Sequence, residues 1–79
     1  MRIWDALKET IERGVWVGFT EPDGYQRAIR YDATADVWWW RTKHRGEADW
    51  SGSSRYKVAP FALNGYTVST EWEIAEVWK

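Results

Sequence analysis

Three consecutive tryptophans, Trp38-Trp39-Trp40, stand between Val37 and Arg41. Side chains alternate sides along a β-strand, so a strand through this run carries Trp on both faces of its sheet. Neither face can then be left to water as an ordinary polar surface; a helix, a partner chain or a ligand has to meet each one. Strand period groups Val37, Trp39 and Arg41 on one face, and Trp38, Trp40 and Thr42 on the other. One helix covers only one face of a small sheet. The grouping favours Trp38 and Trp40 as core or oligomer packing, and Trp39 with Arg41 as the more polar face.

The need for such packing follows from size. A chain of 79 residues is a single domain, spanning 1–79, at a length where one hydrophobic core is marginal. It has no Cys, so neither a disulfide nor a thiolate metal site is available. One His, His44, builds no zinc site without several carboxylates. Aromatic packing and homo-oligomerisation are the remaining sources of stability. Eight Trp, four Tyr and two Phe supply the first, since each buried aromatic removes roughly 150–250 Å² from water.

Residues 3–13 (IWDALKETIER) have the period of an amphipathic helix, with Ile3, Leu7 and Ile11 four apart. Asp5 and Arg13 sit at the ends that the helix dipole favours, and Gly14 stops it. Residues 15–20 (VWVGFT) and 25–31 (YQRAIRY) are strands joined by a Glu21-Pro22-Asp23-Gly24 turn. A second turn over 32–36 leads to a strand over 37–43, which completes an antiparallel meander. Residues 44–54 (HRGEADWSGSS) have the composition of a loop. Residues 55–63 are a short strand cut by Pro60 or an extended passage, residues 66–69 a helical turn or a strand, and residues 72–78 a terminal strand. The expected fold is α+β: one N-terminal helix on a small antiparallel sheet of about four strands.

No run of about 18 apolar residues is present, which argues against a membrane span, and no export signal is read at the N-terminus. A cytoplasmic location is the default. The net charge of −1 argues against a nucleic-acid polymer as partner. Charge is unevenly spread, however: residues 41–57 are net +3 and the remainder is −4. A small basic patch suits a small anion.

That patch lies among aromatic and hydroxyl side chains. Trp39 and Trp50 offer flat faces for a ring, Arg41, Lys43, Arg45 and Arg55 offer cations for phosphates, and Ser51, Ser53 and Ser54 offer hydroxyls for orientation. Gly52 allows close approach of the Ser-rich segment. The competing reading of the same residues is a Trp-rich core beside a solvated, charged loop. Nothing in the sequence pairs two carboxylates, His44 has no Ser or Cys nucleophile signature near it, and no Gly-rich phosphate motif or metal-ligand spacing is present. A binding protein, with neither metal nor cofactor, is the better expectation than an enzyme using His44 as a base.

The two ends carry a family resemblance. Ile3-Trp4-Asp5-Ala6-Leu7 through Arg13-Gly14-Val15 resembles the opening helix, Gly and strand of the Thoeris anti-defence sponge family of small phage proteins. Thr67-Val68-Ser69-Thr70-Glu71-Trp72-Glu73-Ile74 is similar to that family's closing strand, with Glu71 where the family prefers Asp. Val15-Trp16-Val17-Gly18 departs from the family's basic pair followed by Trp, and the middle of the chain has no counterpart. The resemblance implies a small α+β homo-oligomer in the cytoplasm of an infected host cell. It further implies that the chain sequesters a nucleotide immune signal, of cyclic ADP-ribose or cyclic-dinucleotide type, without cleaving it. The alternative is an inhibitor that docks on a host defence enzyme through exposed Trp and Arg residues.

Overall fold

The computed structural model describes residues 1–76 and Trp78, without the side chains of Ser53 and Ser54. Helix α1 spans Ile3–Arg13, where the apolar period placed it. It buries Ile3, Ala6 and Thr10, and Glu9 pairs with Arg13 at 2.7 Å on the exposed side. Gly14 ends it at φ 68°, a left-handed conformation that an L side chain resists, and donates its N–H to the Thr10 carbonyl.

Strands β1 (Val17–Thr20), β2 (Gln26–Asp32), β3 (Val37–Lys43) and β4 (Ser51–Tyr56) follow. A short helix α2 (Gly65–Ser69) and a two-residue strand β5 (Glu73–Ile74) complete the chain. The sheet runs β4-β3-β2-β1-β5, antiparallel at each pairing. The fold is therefore α+β, one helix on an antiparallel sheet. Its turns have local causes. Asp23 accepts the Tyr25 N–H, and Asp32 accepts the N–H groups of Thr34 and Ala35. Asn64 caps α2 through a reciprocal box with Thr67.

Two differences from the sequence expectation affect the site. The loop expected over residues 44–54 ends at Trp50, because residues 51–56 pair with β3. The terminal strand expected over residues 72–78 is regular only at Glu73 and Ile74, opposite Gly18 and Val17; Val77, within that expected strand, lies outside the described residues.

Register divides the sheet into two faces. Val17, Phe19, Ile29, Tyr31, Trp38 and Trp40 share the face under α1; Trp16, Gly18, Ala28, Arg30, Trp39 and Arg41 share the other. The core lies on the helix side and consists of Ile3, Ala6, Val17, Phe19, Ile29 and Trp72, with Trp38 and Trp40 packed against it. Trp72 is fully buried, meets Phe19 edge-on at 4.9 Å and donates its indole N–H to the Thr67 carbonyl at 2.9 Å. Thr10 is the buried polar link between the layers: its hydroxyl accepts the Tyr31 N–H at 2.9 Å. Residue 72 also ties back to residue 1, through Trp72 N–H to the Met1 carbonyl at 2.7 Å.

Candidate functional site

The two faces hold aromatic residues in different ways. On the face away from α1, Arg41 extends from β3 beside the small residues Ala28 and Gly18. Its guanidinium lies between two indoles, 4.3 Å from the Trp16 ring centre and 4.5 Å from that of Trp50. It donates to the Ala75 carbonyl at 3.3 Å, and burial lowers its pKa. Lys43 lies 6.0 Å from the Trp50 ring, which also runs parallel to Trp78 at 6.1 Å. One row along, Arg30 lies over Trp16 at 5.8 Å and Arg55 over Trp39 at 5.7 Å. Among the described residues, the indole N–H groups of Trp39 and Trp50 and the Nε–H of Arg41 are buried and meet no hydrogen-bond partner. The Asp32 carboxyl is held below its ordinary pKa, mainly by the Ala35 N–H and with help from Trp39 and Arg30, so the Trp39 indole N–H has a carboxylate nearby.

The structure thus brings Trp39, Arg41, Lys43, Trp50 and Arg55 to one face. It separates Arg45, whose side chain packs against Gly24 in the β1–β2 turn. Ser51 pairs with Thr42 and belongs to the register of the helix-side face. The side chains of Ser53 and Ser54 lie outside those described. Gly52, at φ 111°, does make a close approach, but the neighbour is the Trp40 ring: a Cβ there would sit 2.6 Å from it. Trp16 and Arg30 also belong to the face, although neither lies in the basic segment over residues 41–57. The β1–β2 turn fixes their pairing, and that pairing is the signal that would have found them.

On the helix side, α1 covers only part of the sheet. The uncovered part is the floor of a cleft of about 610 Å³, within the roughly 300–1,000 Å³ of small-molecule sites. Phe19, Trp40 and Thr42 form the floor, and Phe61, from the segment leading into α2, and Tyr66 of α2 form the opposite wall. The aromatic rings there meet one another edge to face: Phe19 with Tyr66 at 5.8 Å and Phe61 with Trp72 at 5.7 Å. Arg27 stands at the mouth, its guanidinium 4.9 Å above the Tyr25 ring and 3.9 Å from the Glu21 carboxylate. His44 packs on the same Tyr25 at 4.2 Å. Of the ligand-contact candidates taken from the sequence, Arg41 is the one that borders this cleft.

Among the described residues, no group of three or more His, Cys, Asp or Glu is placed to hold a metal ion, and no helix is long and apolar enough to cross a membrane. Comparison of the chain with protein-family models, curated proteins and solved structures finds no match.

Proposed function

We propose that this protein is a non-enzymatic binder that takes up a small nucleotide-derived ligand and holds it without cleaving it. This is the sequestering role that the resemblance of its two ends to the anti-defence sponges implies. The observation that carries the reading is the cleft: a concave, aromatic-walled space of nucleotide size with the half-exposed Arg27 at its mouth. Its walls supply stacking surface at about 1–3 kcal/mol per base. Its concavity removes the ligand from water, which an exposed sheet face does less well. The ring enters between Trp40 and the Phe61–Tyr66 wall, and the polar end stays near Arg27.

The test is uptake and return. The protein is incubated with a panel of cyclic nucleotides and ADP-ribose derivatives, the depleted solution is measured, and the protein is then heat-denatured. Ligand removed and then returned intact is the expected result; an altered ligand means catalysis. No depletion by any member of the panel overturns the reading. It would favour instead a second one, docking on a host protein, for which the exposed Trp4 and Ile11 on the outer side of α1 are the motivating observation.

A further inference from the structure

The mouth of the cleft carries two opposite charges that do not close on each other. Arg27 and Glu21, both in its lining, stand 3.9 Å apart, too far for a hydrogen bond. The Arg27 side chain is 54% exposed and that of Glu21 25%. Each charge balances the other while neither fills the other's hydrogen-bonding positions. Both are supported from behind. Tyr25 lies under one face of the guanidinium. The β1–β2 turn fixes the Glu21 backbone, which donates to the Tyr25 carbonyl and accepts the Gly24 N–H, each at 2.8 Å.

The other polar groups around the cleft are occupied or unselective. Arg41 borders it, but strand register turns its side chain to the opposite face, where the guanidinium lies between Trp16 and Trp50. The Asn64 carboxamide oxygen accepts the N–H groups of Tyr66 and Thr67, and the Thr67 hydroxyl donates to the Ala62 carbonyl. The hydroxyls of Thr42 and of the lining tyrosines can donate and accept alike, so they do not tell one base from another. Selectivity therefore falls to Glu21 and Arg27.

A carboxylate only accepts, and its two oxygens suit two parallel N–H groups. Of the four RNA bases, guanine is the one with two adjacent N–H groups on one edge, N1–H and N2–H, and its O6 acceptor lies beside them. Adenine and cytosine set an amino group beside a bare ring nitrogen, and uracil sets one N–H between two carbonyls. Glu21 next to Arg27 presents the complement of the guanine edge: two acceptors, then a donor. A neutral base edge engages both charges and parts neither from its counter-charge, whereas a phosphate on Arg27 would sit against the Glu21 carboxylate.

On the reading of the cleft as the ligand site, we infer that it selects a guanine-bearing nucleotide: Glu21 accepts N1–H and N2–H, Arg27 donates to O6, and the ring lies against Trp40. The polar end near Arg27 is then the base edge itself. This reads the base and leaves the number of phosphates open, so a guanine cyclic dinucleotide suits the cleft better than an adenine ligand of cyclic ADP-ribose type.

Calorimetric titration tests it with the guanine, hypoxanthine and adenine members of two series, the 5′-monophosphates and the cyclic dinucleotides, and with cyclic ADP-ribose. Charge is constant within a series, so differences report the base edge. The guanine member is expected at least tenfold tighter than the adenine member, the size of one charge-assisted hydrogen bond. Hypoxanthine, which lacks the N2 amino group, should fall between them. Glu21→Gln keeps the volume and turns one acceptor into a donor, so it should bring the guanine-to-adenine ratio close to one. Thr42→Trp, which fills the floor, should weaken every ligand that binds, with folding checked by circular dichroism. A wild-type ratio near one, a ratio that Glu21→Gln leaves unchanged, or cyclic ADP-ribose as the tightest ligand overturns this inference and leaves the cleft as the site. Failure of every ligand to bind, or binding that Thr42→Trp does not weaken, overturns the cleft reading itself.

Discussion

The two faces of the sheet are built from the same unusual material and end in different states. On the helix side, Phe19, Phe61, Tyr66 and Trp72 meet one another, and their edge-to-face contacts leave a cleft between the sheet and the α2 segment. On the other side, Trp16, Trp39 and Trp50 meet arginines. A guanidinium lies flat on an indole and covers it while its own edge stays polar, so this face is closed without a second helix. Adjacent residues of one strand, Trp39 and Trp40, therefore serve opposite purposes. What decides between them is the neighbour that register supplies: Arg30 and Arg55 flank Trp39, whereas Ile29 lies opposite Trp40 and Gly52 packs against its ring. A tryptophan beside cations is thus not by itself a ligand site, because the cations can already occupy the ring.

The sharpest contrast between the faces is energetic. Trp72→Ala on the helix side should cost about 3–5 kcal/mol, the range for deleting a fully buried large aromatic. That is a large part of the roughly 5–15 kcal/mol that stabilises a typical domain, and chemical denaturation measures it. Trp72→Phe should lose less, since the ring volume is mostly kept and the hydrogen bond to Thr67 is what disappears. Arg41→Met on the opposite face keeps the stem and removes the charge. It should cost about 2 kcal/mol, from two stacked rings and the tether to Ala75. If Arg41→Met proves as damaging as Trp72→Ala, the second face is a core of equal rank.

Trp50→Ala separates structure from binding. Loss of the ring above Arg41 and near Lys43 should lower stability by about 1 kcal/mol and leave ligand uptake unchanged. Tyr66→Ala, on the cleft wall and 44% exposed, should do the reverse: little change in the denaturation midpoint and a tenfold or greater loss of uptake. The opposite pattern would move the site to the face that carries Trp39, Arg41 and Arg55.

The elements legible in the sequence are those whose own residues decide them. Helix α1 and strand β3 have the bounds that period and propensity give, and the face pattern of the WWW run follows from strand alternation. Strand β4 was not legible because Ser51-Gly52-Ser53-Ser54 has no β-branched or aromatic residue; it is a strand only because β3 offers it an edge. The grouping of cations with Trp39 and Trp50 was legible for the same reason as β3. Their covering was not, because Trp16 and Arg30 arrive from other strands. The cleft was the least legible feature. Phe19, Arg27, Trp40 and Tyr66 come from four segments, and only the return of the α2 segment over the sheet makes them one surface.

The smallest expected effect also divides the faces, now by pH. Tyr31 and Asp32 are neighbours on opposite sides of β2 and titrate at opposite ends of the scale. The Asp32 carboxyl lies below its ordinary value of 3.8, chiefly because it accepts the Ala35 N–H. A carboxyl depressed in the folded state binds protons more readily when unfolded. Its contribution is therefore present above pH 3.8 and fades as pH falls through the folded value. The Tyr31 hydroxyl donates to Asp36 at 2.6 Å, and that bond, with the carboxylate charge, raises it above 10.0. Its contribution is whole below pH 10 and fades as pH rises through the folded value. Urea midpoints followed from pH 2 to 12 should accordingly fall at both ends. Asp32→Asn should flatten chiefly the acid arm, and the alkaline one slightly because the Asp32 charge helps to raise Tyr31; Tyr31→Phe should flatten the alkaline arm. An Asp32→Asn variant whose acid arm stays as steep as before would place the acid sensitivity in other carboxylates and remove Asp32 from the turn's stabilising contacts.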